Sequence, residues 1–155
     1  MTTPRALDND LLFLVYDVAQ LIRRHADAKA RTRGMTRAQW AVLARLERQP
    51  GITQNDLAQL TDVEPITVGR LIDKLEESGF VERKPDPKDR RIWRLSVTPK
   101  SAPVLKEIAA FRTALNKELS DGVPPERVSQ LVESLKTMRC NLSTAKADAR
   151  KGAAR

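Results

Sequence analysis

Residues 64–80 read EPITVGRLIDKLEESGF, and this stretch decides the fold. Pro65 suits the first position of a helix, where its missing N–H costs nothing. Gly79 supplies a left-handed C-terminal stop. Val68, Leu71, Ile72 and Leu75 recur at three- and four-residue steps and define one apolar stripe. With Val68 set at zero and about 100° per residue, the other three fall within about 60° of it. Ile66, Arg70, Asp73, Lys74 and Glu77 fall on the opposite side.

An apolar Ile66 beside Arg70 is odd for a plain solvated face. It makes sense where that face meets DNA, since Arg pairs with guanine and an apolar group touches a thymine methyl. The plain alternative is that Ile66 packs on a neighbour and Arg70 is ordinary surface.

Before this helix, ITQNDLAQLTDV reads as a short helix capped by Thr53, with Leu57, Ala58 and Leu60 facing inward. Behind it, FVERK and RIWRLSV alternate with period two around PDPKDR, which predicts a β-hairpin. Trp93, Leu95 and Val97 are expected to face the core. A short helix, a tight link and a capped second helix form the helix-turn-helix plan, with the second helix in the major groove. A projecting hairpin beside it is a wing. Lys88, Arg90 and Arg91 load its tip with charge suited to the narrow minor groove, and Asp89 is placed to orient a guanidinium. An edge strand guarded by solvated charge is the competing explanation of the arginines.

Outward from this unit, MTRAQWAVLARLERQPG is a helix with a Thr36/Gln39 capping box and a Trp40, Leu43, Leu46 stripe. DLLFLVYDVAQLIRRHADAKAR is a long first helix, capped by Asp8 or Asn9 and followed by Gly34. It is more apolar than one packed face requires. Thr98-Pro99 is expected to cap a fifth helix, with Pro103 tolerable only near its first turn. A sixth helix begins at PPERV.

The 155 residues suggest one domain with a sizeable core. Hydrophobic residues make up 41%, which excludes wholesale disorder. No apolar run reaches the ~20 residues of a membrane span. The opening MTTPRALDND lacks a signal peptide's apolar stretch, and a single cysteine makes no internal disulfide, so a cytoplasmic location is expected. His25 and Cys140 stand alone, too few for a His/Cys metal site or a nucleophile–base set. No catalytic residue, metal or cofactor is expected.

The net charge of +8 favours a polyanionic partner. It is unevenly spread: residues 51–82 carry two Lys/Arg against seven Asp/Glu, and residues 83–98 carry six against two. The acidic stretch keeps open a winged helix that contacts RNA or a protein instead of duplex DNA.

The motifs MTRAQWAVLARL, TQNDLAQLTDVEPITVGRLIDKLEESGFVER and DPKDRRIWRLSVTPKS resemble the MarR family of bacterial transcription regulators. That family's wing typically ends in Leu-Thr, two residues, then Gly. Here Val97-Thr98-Pro99-Lys100 precedes Ser101, as in its SlyA-like branch. The resemblance implies a mostly α fold with a small β-hairpin: a winged helix-turn-helix over 36–98, flanked by dimerisation helices at 7–34 and 99–145, with a flexible basic tail at 146–155. It implies a homodimer on a pseudo-palindromic double-stranded operator, acting as a repressor. Arg70 matches the base-reading position, Arg90 and Arg91 the wing arginines, and Asp89 the aspartate that braces them. Thr53, Gln54 and Thr67 match positions that meet phosphates or base edges. Phe13, Tyr16, Gln39 and Trp40 match the lining of a pocket for small aromatic or anionic effectors, although ordinary core packing is the favoured account of Phe13 and Trp40.

Overall fold

Asp10 starts the first helix: its carboxylate accepts the backbone N–H of Leu12 at 2.9 Å and of Phe13 at 3.1 Å. The cap is therefore neither Asp8 nor Asn9, because only the residue directly before Leu11 reaches those donors. The structure is a computed structural model that describes residues 9–61 and 63–152, with side chains through Ser143. Asp8 and the last three residues of the basic tail lie outside it.

The helices are α1 (Leu11–Arg31), α2 (Arg37–Arg48), α3 (Gln54–Thr61), α4 (Pro65–Glu77), α5 (Ala102–Leu119) and α6 (Pro125–Gly152). The strands are β1 (Ile52–Thr53), β2 (Val81–Pro85) and β3 (Trp93–Val97). All three are antiparallel in the order β1-β3-β2. The fold is mostly helical, as expected, but the hairpin has gained a third strand. Two residues are too short to show a period, so β1 left no alternation in the sequence.

The chain divides into two compact units at residue 112. The core lies in the first: Leu43 and Leu46 of α2, Leu57 of α3, Val68, Ile72 and Leu75 of α4, Val81 of β2 and Leu95 of β3. Both sequence-read stripes, on α2 and on α4, are buried, with Leu71 packed at the margin. The Thr36/Gln39 capping box is present in both directions. Thr53 caps α3, its hydroxyl accepting the N–H of Asp56 at 3.1 Å. Gly79 has φ 76°, the left-handed stop that ends α4. Leu60 instead is 47% exposed, because α3 is short and its inner face is already filled by Leu57 and Ala58.

Thr98 stands at the N-cap of the 3-10 turn before α5, but its side chain makes no cap bond. Its hydroxyl donates to the Gly79 carbonyl at 2.5 Å, and a 3-10 turn over Pro99–Ser101 leads into the helix, with Pro103 in the first turn. Ser101 is fully buried and closes this turn by donating Oγ–H to the Thr98 carbonyl at 2.6 Å. Glu107 of α5 pairs with Lys29 at 2.8 Å and Arg33 at 2.5 Å, at the C-terminal end of α1. These cations hold the Glu107 carboxyl below its ordinary pKa, Lys29 foremost.

The second unit holds the end of α5, a turn through Gly122 at φ 73°, and α6. The backbone of α6 stays helical through Gly152, into the basic tail, as its Ala, Lys and Arg favour. No described helix is long and apolar enough to cross a membrane.

Candidate nucleic-acid interface

The outward face of α4 emerges as the 100° rotation requires. Val68, Ile72 and Leu75 occupy the core, so Ile66 stands 73% exposed, with Thr67, Arg70 and Lys74 exposed on the same helix. The side-chain cations of Arg70 and Lys74 have no ion-pair or hydrogen-bond partner among the described residues. The acids nearby are not free in the same way. Asp73 pairs with Arg83 of β2 at 2.6 Å, and Glu76 pairs with the other terminal nitrogen of the same guanidinium. Burial lowers the Arg83 pKa, but hydrogen bonds to Asp73 and Glu76 outweigh it, so the net shift is upward and the charge is secure. Part of the acidity of residues 51–82 is thus neutralised by the adjacent strand. Arg83 escaped the sequence reading because its partners lie seven and ten residues away, across a turn.

Gly69 explains how α3 docks beside α4. A Cβ built there would lie 3.0 Å from Nε2 of Gln54, so a bare backbone lets the Gln54 amide rest against α4. Gln54 and Thr53 therefore flank the start of α3 close to the outward helix. Thr53 uses its oxygen as the cap acceptor, which leaves its hydroxyl proton able to donate.

The three arginines of the turn and β3 have three different surroundings. Arg90, at the tip, is exposed and without an ion-pair partner among the described residues, as is Lys88 beside it. Arg91 is braced: Nε and Nη2 donate to the Asp89 carboxylate at 3.0 and 2.9 Å, and its backbone N–H donates at 3.0 Å. Its side chain is still 90% exposed, so the fork is oriented without being hidden. Hydrogen bonds from the Arg91 side chain, then its backbone, lower the Asp89 pKa. Arg94 does not point to the tip. Its Nε donates to Asp86 at 2.7 Å and its Nη1 to the Gly51 carbonyl at 3.0 Å, tying the wing to the turn that leads into β1.

Asp86 is the anchor of the turn. It is only 7% exposed and accepts the N–H groups of Lys88 at 2.7 Å and Asp89 at 3.2 Å as well as Arg94. The Lys88 bond, then Arg94, hold its carboxyl below the usual aspartate pKa. The signal was present in the sequence: an Asp opening Asp-Pro-Lys-Asp is the residue that folds back onto the next two amides. Trp93, expected inside, is 51% exposed. It pairs with Pro85 at the outer end of the hairpin, beyond the core that covers Leu95 and Val97.

The four effector candidates are not brought together. Phe13 and Tyr16 are exposed on α1 and line an open cavity of about 350 Å³ with Leu12. Gln39 holds the α2 cap, and Trp40 is core, edge-on to Phe111 with centroids 5.9 Å apart. Trp40 Nε1 is buried with no hydrogen-bond partner among the described residues. Among those residues there is also no group of three or more His, Cys, Asp or Glu able to hold a metal.

The MarR family's sequence profile matches residues 33–92, the span from before α2 to the wing. A crystal structure of the transcriptional regulator SlyA is 30% identical and superposes with a TM-score of 0.79, covering 87% of this chain and 95% of that one. The chain belongs to the MarR family. Two further members underline the match of fold. A MarR protein from Peptoclostridium difficile is 25% identical, with a TM-score of 0.80 over 92% of this chain and 93% of that one. Wild-type MarR from E. coli in its apo form is 26% identical, with a TM-score of 0.71 over 83% and 96%. The winged helix built above is thus the fold of MarR-type transcriptional regulators.

Proposed function

We propose that this MarR-family chain is a homodimeric repressor that binds a pseudo-palindromic double-stranded DNA operator in the cytoplasm through residues 36–98. One observation carries the reading: Arg70 and Ile66 stand exposed on the outward face of α4, with Arg90 exposed and Arg91 held open by Asp89 on the adjacent wing. Arg70 reads a base edge in the major groove, and Ile66 meets a thymine methyl. Arg90 and Arg91 enter the minor groove. Thr53, Gln54, Thr67, Lys74 and Lys88 meet backbone or base edges and set the register, and Asp89 braces the wing.

Residues 7–34 and 99–145 supply the dimer contacts. The support is the apolar run Leu11, Leu12, Leu14, Val15 and Val18, all exposed on α1, and Leu131, Val132 and Leu135 exposed on α6. A small aromatic or anionic effector is assigned to the open cavity of α1 at Leu12, Phe13 and Tyr16; Gln39 and Trp40 lie outside that lining. Binding there changes operator affinity by linkage.

The test is selection of bound duplexes from random DNA, followed by titration at several salt concentrations. The expected outcome is an enriched inverted repeat with half-sites about one helical turn apart and a steep salt slope. Recovery of no duplex sequence, with flat salt dependence, transfers the reading to a protein partner, and enrichment from an RNA pool transfers it to RNA.

A further inference from the structure

An open cleft of about 490 Å³ lies between the start of α3 and the wing, walled by Thr53, Gln54, Asp56, Arg83, Arg91 and Trp93. Its charges are largely satisfied. Arg83 is held by Asp73 and Glu76, Arg91 by Asp89, and Asp56 accepts the Thr53 N–H at 3.4 Å within the cap. That balance does not favour a small free anion. Trp93 adds a half-exposed indole with no side-chain hydrogen-bond partner among the described residues.

A large aromatic on a strand is normally covered, and exposed Trp is enriched where one end of a partner is apolar and the other wet. Deoxyribose beside a phosphate has that character. Position points the same way. The cleft joins Gln54, which leans on α4, to Arg91 on the wing. A DNA strand passing from the groove read by α4 to the groove entered by the wing has to cross this gap.

We propose that Trp93 is an uncharged backbone-contacting residue, its ring packed on a deoxyribose and its indole N–H donating to a phosphate of the strand that crosses the cleft. This rests on the DNA-binding reading above. It gives the interface one contact whose strength does not come from counterion release.

The protein's two tryptophans make the test direct, since Trp40 is buried and Trp93 is exposed. Acrylamide quenching of the wild type minus that of Trp93→Phe isolates Trp93 emission, read with and without a duplex of about 25 bp recovered by the selection. The expected result is that the duplex shields Trp93. Trp93→Ala then weakens binding by about fivefold to tenfold with an unchanged salt slope, and Trp93→Phe retains most of the affinity. Circular dichroism checks that both variants fold. If the duplex binds with its full salt slope while Trp93 stays open to quencher and Trp93→Ala binds like wild type, the inference is overturned and the DNA reading stands. If the wild type binds no duplex, both fall together.

Discussion

The N-terminal half of α1 and the outward face of α4 both expose apolar side chains, but in opposite company. On α4, Ile66 stands among Arg70, Lys74 and Glu77, with the acids Asp73 and Glu76 tied back to Arg83. On α1, residues 11–18 expose seven large apolar or aromatic side chains with Asp17 as the single charge. The first surface presents cations with one apolar spot, which suits a polyanion whose groove carries methyl groups. The second offers almost nothing for water or phosphate to bind, and it suits a surface like itself. The C-terminal end of α1 is different again: Ala30 is buried and Lys29 and Arg33 reach Glu107. One helix therefore carries an anchored end and an uncovered end.

The largest expected effect comes from breaking the apolar surface. Leu14→Glu with Val18→Glu places like charges in any self-contact, while both side chains are already exposed in the single chain. The double variant is expected to sediment at 17.4 kDa and to keep its helical circular dichroism. Its operator affinity falls by about a hundredfold or more, because two half-sites no longer act together. A double variant that stays dimeric, or a wild type that is itself a monomer at micromolar concentration, removes the dimer from the proposal.

The cationic surface breaks in smaller steps, and its two parts break differently. Arg70→Ala is expected to cost ~1–3 kcal/mol at the operator and to relax one base position per half-site. Arg90→Ala is expected to weaken binding, to lower the salt slope by roughly one and to reduce the preference for A·T-rich flanks. Neither side chain touches the core, so melting temperatures stay near wild type. Titration against the selected duplex and single-base variants, at several salt concentrations, separates the two roles. Equal binding by both variants and wild type leaves the arginines a solvated face.

Legibility in the sequence followed the range of the interaction. Elements fixed by neighbours within four residues could be read directly: the α4 stripe, Pro65, Gly79, the Thr36/Gln39 box and the Thr53 cap. Features fixed by distant partners could not. Nothing in the sequence near Arg94 shows that its guanidinium reaches the carbonyl of Gly51, 43 residues earlier. Trp93 obeys the alternation of its strand, yet it lies past the edge of the core, and no period reveals where a core ends. Ile66 and Arg70 were legible as an outward pair because helix rotation alone determines their direction. Phe13, Tyr16, Gln39 and Trp40 share no periodicity, so their grouping rested on resemblance, and the described residues do not gather them into one cavity.

The smallest expected effect lies beneath the wing, where Asp86 shapes the surface without being part of it. Its folded pKa is lowered, so its contribution is fully present above the ordinary aspartate range and is lost as pH falls through the folded value. The wing turn should hold from neutral pH down to about pH 4 and loosen below it. The amide signals of Lys88 and Asp89, whose N–H groups donate to Asp86, report this by NMR, with a midpoint below that of an unstructured aspartate. In Asp86→Asn the amide oxygen still accepts those two bonds, but its NH₂ faces the Arg94 Nε donor. The tie to Gly51 slackens at every pH, and the acid transition flattens. Operator binding should fall less than in Arg90→Ala, and the salt slope should not change, because no cation facing DNA is removed. A midpoint at the ordinary aspartate value would show that Asp86 does not anchor the turn. A reduced salt slope in Asp86→Asn would show instead that Arg94 faces the DNA and belongs with Arg90.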